Sequence, residues 1–292
     1  MATSLHRRRS SLVLLLLPLV FSACPKKRKA PQQSKIIISS LEVRDRTLVA
    51  DRIADLSAEF LKSRVTKRLK KHAHLRLIKS ESPMSYRLRI DVGLGRSGGK
   101  IHILVAGRAR RRSYADDAIV LQASVVAPMS AQASADAKKE RILRTLDEVT
   151  EDLAYQAGLV VAPPDRLVAA LKRRKDQQRL ASAVEIAALR KIPQTVPALI
   201  SLLHSKNRRI SDRAIGALAA IGDRRAVKPL TRLAKFRDTA RMAKVLDAIG
   251  ALGGKEARQY LEFVAVGHVD ADIKNLASEA LQRMKRTHSS SK

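Results

Sequence analysis

The chain is poor in aromatic residues, poor in acidic ones, and has a single cysteine. Tryptophan is absent from its 292 residues, and tyrosine and phenylalanine supply four each. An aromatic-lined pocket and a β-sandwich core are both disfavoured by that scarcity, so small-molecule chemistry is not the first expectation. The plentiful Ala and Leu suit packed helices instead. With one cysteine, Cys24, no disulfide forms within one chain. The 27 Asp and Glu are outnumbered by 58 Lys and Arg, giving a net charge of +31 and a pI of about 11.1. Such a field selects anionic partners, but nucleic acid, acidic lipid and lipopolysaccharide all present phosphates to the same side chains. Compartment must decide among them. At this length, with 45% hydrophobic residues, the chain is expected to form two folded units behind a leader.

Residues 1–23 have the three-part layout of a secretory signal peptide: basic His6-Arg7-Arg8-Arg9, apolar Leu12 to Phe21, then small Ser22-Ala23 before Cys24. The apolar segment falls short of the ~20 residues a membrane span needs, and Pro18 interrupts it. Phe21-Ser22-Ala23-Cys24 resembles the lipobox of bacterial lipoproteins, with Phe21 where Leu is usual. That resemblance implies cleavage before Cys24 and lipidation of its sulfur. Residues 24–34 then form a tether in which Lys26, Lys27, Arg28 and Lys29 meet an anionic membrane surface, each worth up to ~1 kcal/mol. Pro25 replaces the Asp that commonly retains lipoproteins at the inner membrane, which favours the periplasmic face of the outer membrane. Reading Pro25 to Lys29 as a nuclear-import patch leaves the preceding apolar run unexplained.

Residues 35–160 are expected to form a small α+β domain. Strands are predicted at 35–43, 75–78, 86–92, 100–112 and 118–127, where apolar residues alternate or β-branched residues cluster. Helices are predicted at 47–71, with a stripe including Phe60, Leu61, Val65 and Leu69, and at 136–157 through Ile142, Leu146, Val149 and Leu153. The order β-α-β-β-β-β-α puts hairpins on one side and helices on the other. The layout is similar to that of periplasmic domains of several bacterial envelope lipoproteins. Gly93-Leu94-Gly95-Arg96-Ser97-Gly98 satisfies G-x-G-x-x-G, but a strand follows it rather than a helix, so it reads as a hairpin. Arg108, Arg110, Arg111 and Arg112 read as a solvated strand end and hairpin, with a binding patch as the alternative, one that has no aromatic neighbours to stack bases. A hinge is expected at 155–164, with Gly158, Pro163 and Pro164.

Beyond it the chain repeats. Leu199, Leu230 and Leu261 stand 31 apart, as do Leu202, Leu233 and Val264; Ala188-Leu189, Ala217-Leu218, Ala248-Ile249 and Ala280-Leu281 recur at 29, 31 and 32. The stretch 214–235, with Ala217-Leu218, Ile221-Gly222-Asp223 and Ala226-Val227, resembles the HEAT family, especially the short bacterial version labelled lyase-like. The resemblance implies an all-α solenoid of about three and a half helix pairs over 165–286, with 287–292 as tail. It opens on an unpaired second helix at Leu167 to Lys172 and closes on an unpaired first helix at Ile273 to Met284. At the position where HEAT units carry an inter-repeat Arg, this chain has Ser182, Ser211, Met242 and Lys274, so that charge ladder is expected to be mostly absent.

Arg208 and Arg209 open one repeat, Arg224 and Arg225 follow its turn, and because second helices line the concave wall of a solenoid, Lys228, Arg232 and Lys235 are placed to share a groove with Arg258; these eight are the candidate partner-binding residues, with a solvated helix surface as the alternative reading. For catalysis the sequence offers little. His72-Ala73-His74 is the closest histidine pair and lacks a third ligand nearby, and there is no H-E-x-x-H, C-x-x-C or G-x-S-x-G. No catalytic residue, metal or cofactor is expected. The reading is a lipid-anchored envelope protein using its solenoid as a protein-binding scaffold. Two alternatives stay open: a basic solenoid gripping nucleic acid, resembling the HEAT-like DNA glycosylases, and a HEAT-like lyase.

Overall fold

The computed structural model describes residues 35–47, 53, 55–80, 82, 84–97, 100–111, 120–233 and 238–289. The leader, Cys24, the tether cations, Arg112 and Lys235 lie outside the described residues.

The N-terminal elements follow the predicted order: β1 (Ile36–Asp45), α1 (Ala58–Leu69), β2 (Leu75–Leu77), β3 (Tyr86–Ser97), β4 (Lys100–Arg111), β5 (Val120–Ser130) and α2 (Ala135–Val161). The strands form one sheet in the order β2-β1-β3-β4-β5. β1 runs parallel to β2 and β3, while β3, β4 and β5 form an antiparallel meander. Gly93 to Ser97 of the G-x-G-x-x-G stretch lie in β3, whose Ser97 pairs with Lys100 of β4, so a strand and not a helix follows. Alternation sends Leu88, Ile90, Val92, Ile101, Ile103 and Val105 to one face, where α1 and α2 bury them. α1 is shorter than its apolar pattern predicts: Ser57 caps it by accepting from the Phe60 amide, and Phe60 itself remains 43% exposed. α2 lies so close to the sheet that a Cβ at Gly107 would stand 2.6 Å from Leu153 Cδ1.

Eight helices follow: α3 (Pro164–Lys172), α4 (Gln177–Arg190), α5 (Val196–Leu202), α6 (Arg208–Ile221), α7 (Val227–Leu233), α8 (Thr239–Leu252), α9 (Lys255–Gly267) and α10 (Ala271–Ser289). First helices α4, α6, α8 and α10 pack in succession, and second helices α3, α5, α7 and α9 each lie against the first helix that follows. Each first helix starts at a short polar side chain that caps it: Asp176, Asn207, Asp238 and Asp270 accept from the amides of Arg179, Arg209, Arg241 and Asp272. The Ile221-Gly222-Asp223 signature has a physical basis. Gly222 ends α6 in the left-handed region at φ 77°, and Asp223 accepts from the Arg225 amide to start a short 3-10 turn. α10 runs on to Ser289, into the stretch expected to be tail.

The hinge expected at 155–164 is not one. α2 stays helical through Val161, and the C-terminal end of that helix is held by Arg190 at the end of α4, whose Nη1 donates to Leu159 O (2.8 Å) and Ala162 O (2.7 Å). Gly158 is not a breaker either, since it gives the His74 ring room on the helix surface: a Cβ there would stand 3.2 Å from the ring. Buried apolar residues run continuously from the sheet through Leu159, Leu167 and Leu180 into the solenoid.

Candidate functional site

Where the solenoid leaves the sheet, a cleft of about 660 Å³ opens between β4, β5 and α2 on one side and α4 and α6 on the other. Its polar lining is rich in amides and arginines: Gln122, Gln156, Gln177, Asn207, Arg108 and Arg209. Arg213 also reaches it, paired with Glu185 at 3.3 Å. Each side chain is placed by its element: Arg108 and Gln122 face each other across the β4–β5 ladder, and Asn207 caps α6 while its Nδ2 donates to Gln177 Oε1 at 3.1 Å. The Gln156 side chain is buried and makes paired hydrogen bonds to the backbone of Gln122. Asp152, one turn earlier on α2, accepts from Gln178 Nε2 at 2.8 Å, and burial pushes its carboxyl above the usual range.

A second cleft of about 670 Å³ lies between α2 and α3 and is lined by His72, His74, Tyr155, Arg166, Arg173 and Arg179. The Arg179 guanidinium sits 5.1 Å from the Tyr155 ring centre. His74 Nε2 is 2.8 Å from Ala154 O, while His72 Nε2 lies 3.2 Å from Glu151 Oε2 and makes no hydrogen bond among the described residues. No three His, Cys, Asp or Glu side chains converge for a metal among the described residues.

The described members of the predicted partner-binding set lie on α6, on the turn after it, on α7 and on α9. Arg208 and Arg209 begin α6, about 20 Å along the helix axis from the turn that carries Arg224 and Arg225. Arg208 is held by Asp238 at 2.7 Å and Arg225 by Asp223 at 2.6 Å, hydrogen bonds that lower both carboxyls below the usual range. Arg224 lies over Gly254 in the next repeat. Lys228 and Arg232 are exposed one turn apart on α7, as is Arg258 on α9. Of the described residues in this set, only Arg209 lines the first cleft.

The HEAT repeats family model matches residues 164–244. Those residues are HEAT repeats. The bilin biosynthesis protein PecE of Nostoc sp. is 37% identical over 81 residues, covering 27% of this chain. The chain spans about a third of that relative's length (32%). Solved structures that align include a PelC dodecamer from Paraburkholderia phytofirmans (12% identical, 42% of this chain and 88% of that one, TM-score 0.27). A minor lipoprotein from Acinetobacter baumannii also aligns (14% identical, 44% and 92%, TM-score 0.29). At those identities and TM-scores the two structures do not bear on function.

Within the HEAT array the expected loss of the inter-repeat ladder is corrected. Positions 211 and 242 do lack Arg, but a ladder runs one register away. Arg241, beside Met242, donates to Ser211 Oγ of the preceding repeat and to Leu203 O at the end of α5. Arg208 pairs forward with Asp238, Lys244 back with Asp212 at 2.5 Å, and Arg283 back with Asp247 at 2.8 Å. These pairs link successive first helices at their exposed edge, a contact that short-range spacing does not show because its partners are about thirty residues apart.

Proposed function

We propose that the chain is a non-catalytic, lipid-anchored scaffold of the cell envelope whose HEAT array holds another protein. The observation that carries the docking part is an apolar stripe on α9 and just beyond it, with Phe263 62%, Val266 81% and Val269 95% exposed. Large apolar side chains grouped this way on a stacked array favour a protein partner. Arg258 lies on the same helix and would add an anionic preference at the rim of that contact. The anchoring part rests on the leader and on Cys24 as the sole cysteine. With Cys24 lipidated, Lys26, Lys27, Arg28 and Lys29 would lie beside the anionic head groups, on the periplasmic face of the outer membrane. Among the described residues no helix is long and apolar enough to cross a membrane.

Two measurements test the parts separately. Labelled palmitate should enter the wild-type chain and not the Cys24→Ala variant; label persisting in the variant refutes the anchor. Phe263→Ser with Val266→Ser should abolish cross-linking to the partner in intact cells while leaving the melting temperature within a few degrees; unchanged cross-linking refutes the docking surface. A second reading, handling of a bilin, is favoured by the match to PecE alone. An absorbance titration in which a bilin's spectrum does not shift on adding the chain would dispose of it.

A further inference from the structure

The face of the sheet turned away from the helices carries four arginines in register. Arg87 stands directly across from Arg110, and Arg89 across from Arg108. Like charges directly opposed weaken a sheet, and here two such pairs are adjacent. One neutralising neighbour is present, since Glu42 pairs with Arg89 at 3.0 Å from the adjoining strand. Arg87, Arg108 and Arg110 are exposed and make no ion pair among the described residues. From Arg108 the same row continues through Gln122 into the first cleft, where Arg209 and Arg213 stand on the opposite wall. All six of these cations are arginine in a chain that also uses many lysines. The planar guanidinium fork suits two-point binding of carboxylates in a way that the lysine ammonium does not.

The backbone beside this row identifies the kind of anion. β5 is an edge strand. The Gln156 side chain treats it as a neighbouring strand would: its Oε1 accepts from the Gln122 amide (3.1 Å) and its Nε2 donates to Gln122 O (2.8 Å). The backbone groups of Gln122 therefore point away from β4, and by antiparallel alternation so do those of Ser124 and Val126. Ser124 and Val126 are exposed, and among the described residues nothing bonds their backbone on that side. Val126 is 60% exposed and paired in register with Leu104, itself 46% exposed, which adds an apolar foothold next to the arginines. None of these rows carries an aromatic side chain on which a base could stack.

We propose that the cleft binds an extended acidic segment of a partner protein, which adds as a strand beside Ser124 and Val126 and sets its carboxylates on Arg108 and Arg209, the cleft arginines that no carboxylate holds among the described residues. The proposal rests on the protein-binding reading above and adds a second, charge-specific contact in the sheet–solenoid cleft to the apolar one on α9.

The test uses the full chain carrying Cys24→Ser and a fluorescent dodecapeptide that alternates Asp or Glu with Val or Thr, read by anisotropy. The peptide should bind. Replacing its carboxylates by amides, or N-methylating every second backbone amide, should each weaken binding by about tenfold or more. Arg108→Gln with Arg209→Gln should weaken it at least as much, whereas the charge-matched Lys67→Gln with Lys70→Gln, exposed at the end of α1, should change it by less than about twofold. Equal losses in the two arms would reduce the effect to net charge and overturn the proposal. Tighter binding of a single-stranded dodecanucleotide, lost in the same arginine variant, would overturn it in favour of nucleic acid. Loss of peptide binding in Phe263→Ser with Val266→Ser, but not in the arginine variant, would leave the scaffold reading standing while this one falls.

Discussion

Asp147 lies on α2 with its side chain 12% exposed, clamped by Arg64 through Nε (2.9 Å) and Nη2 (2.6 Å) and by Arg68 at 2.5 Å. Burial alone would raise its pKa, but the hydrogen bonds from Arg64 and Arg68 outweigh it and hold the carboxyl below the usual range. The folded-state pKa is thus below the unfolded one, so the stabilisation is complete above the unfolded value and is lost as pH falls through the folded value. Asp147→Asn should lower the unfolding free energy by about 1–3 kcal/mol at neutral pH. It should also flatten the urea midpoint against pH below about 4, where the wild type declines. A midpoint that falls equally in both proteins would refute the assignment. The partners are 83 and 79 residues apart, so no periodicity in the sequence discloses them. Backbone conformation gives a second residue-scale prediction. Lys191 ends α4 at φ 47°, a region that Gly222 occupies at no steric penalty at the end of α6. Lys191→Gly should stabilise by up to about 1 kcal/mol, while Gly222→Ala should destabilise by about 1 kcal/mol, both read from denaturation midpoints.

Elements were legible in the sequence wherever a period was long enough to count. β3 and β4 alternate, and the first helices share the Ala-Leu recurrence, so their order and the number of repeats follow directly from the residues. Relations between elements were not legible. The Arg108 run reads as a strand end until the β3–β4 and β4–β5 registers place it opposite Arg89 and beside the cleft, while Arg111 turns aside to donate to Met84 Sδ. The Gly and Pro of residues 155–164 mark a break by composition, yet Arg190 holds the C-terminal end of α2 from another helix. Approach between layers is equally silent: Gly107 is one more small residue in a strand until α2 is laid over it. Gly107→Ala would press against Leu153 and against Val149 Cγ1 at 3.1 Å. It should destabilise by about 1–3 kcal/mol, measured by urea titration, because a packed core yields little to one added methyl. A loss below about 0.5 kcal/mol would mean that α2 can lift away from the sheet.

For the whole molecule, the consequence of the Arg190 clasp and the continuous core is that sheet and solenoid should unfold together. Repeat arrays alone open piecemeal, since each unit touches only its neighbours. Here α4 is tied to α2 by two charge-assisted bonds from Arg190 and by the bond between Asp152 and Gln178, so the array's first repeat gains stability from the sheet. Hydrogen exchange across a denaturant series should therefore show amides of β3 and β4 and amides of α4 and α6 losing protection at the same concentration. Removing the clasp with Arg190→Ala leaves two helix-end carbonyls without their donor, a loss of about 1–3 kcal/mol at that junction. In the variant, α4 and α6 should open at lower denaturant than the sheet, splitting one transition into two. Separate transitions already present in the wild type would show that the junction transmits no stability. The sheet–solenoid cleft would then change shape with each opening of the array, and two-walled binding of an extended segment would lose its fixed geometry.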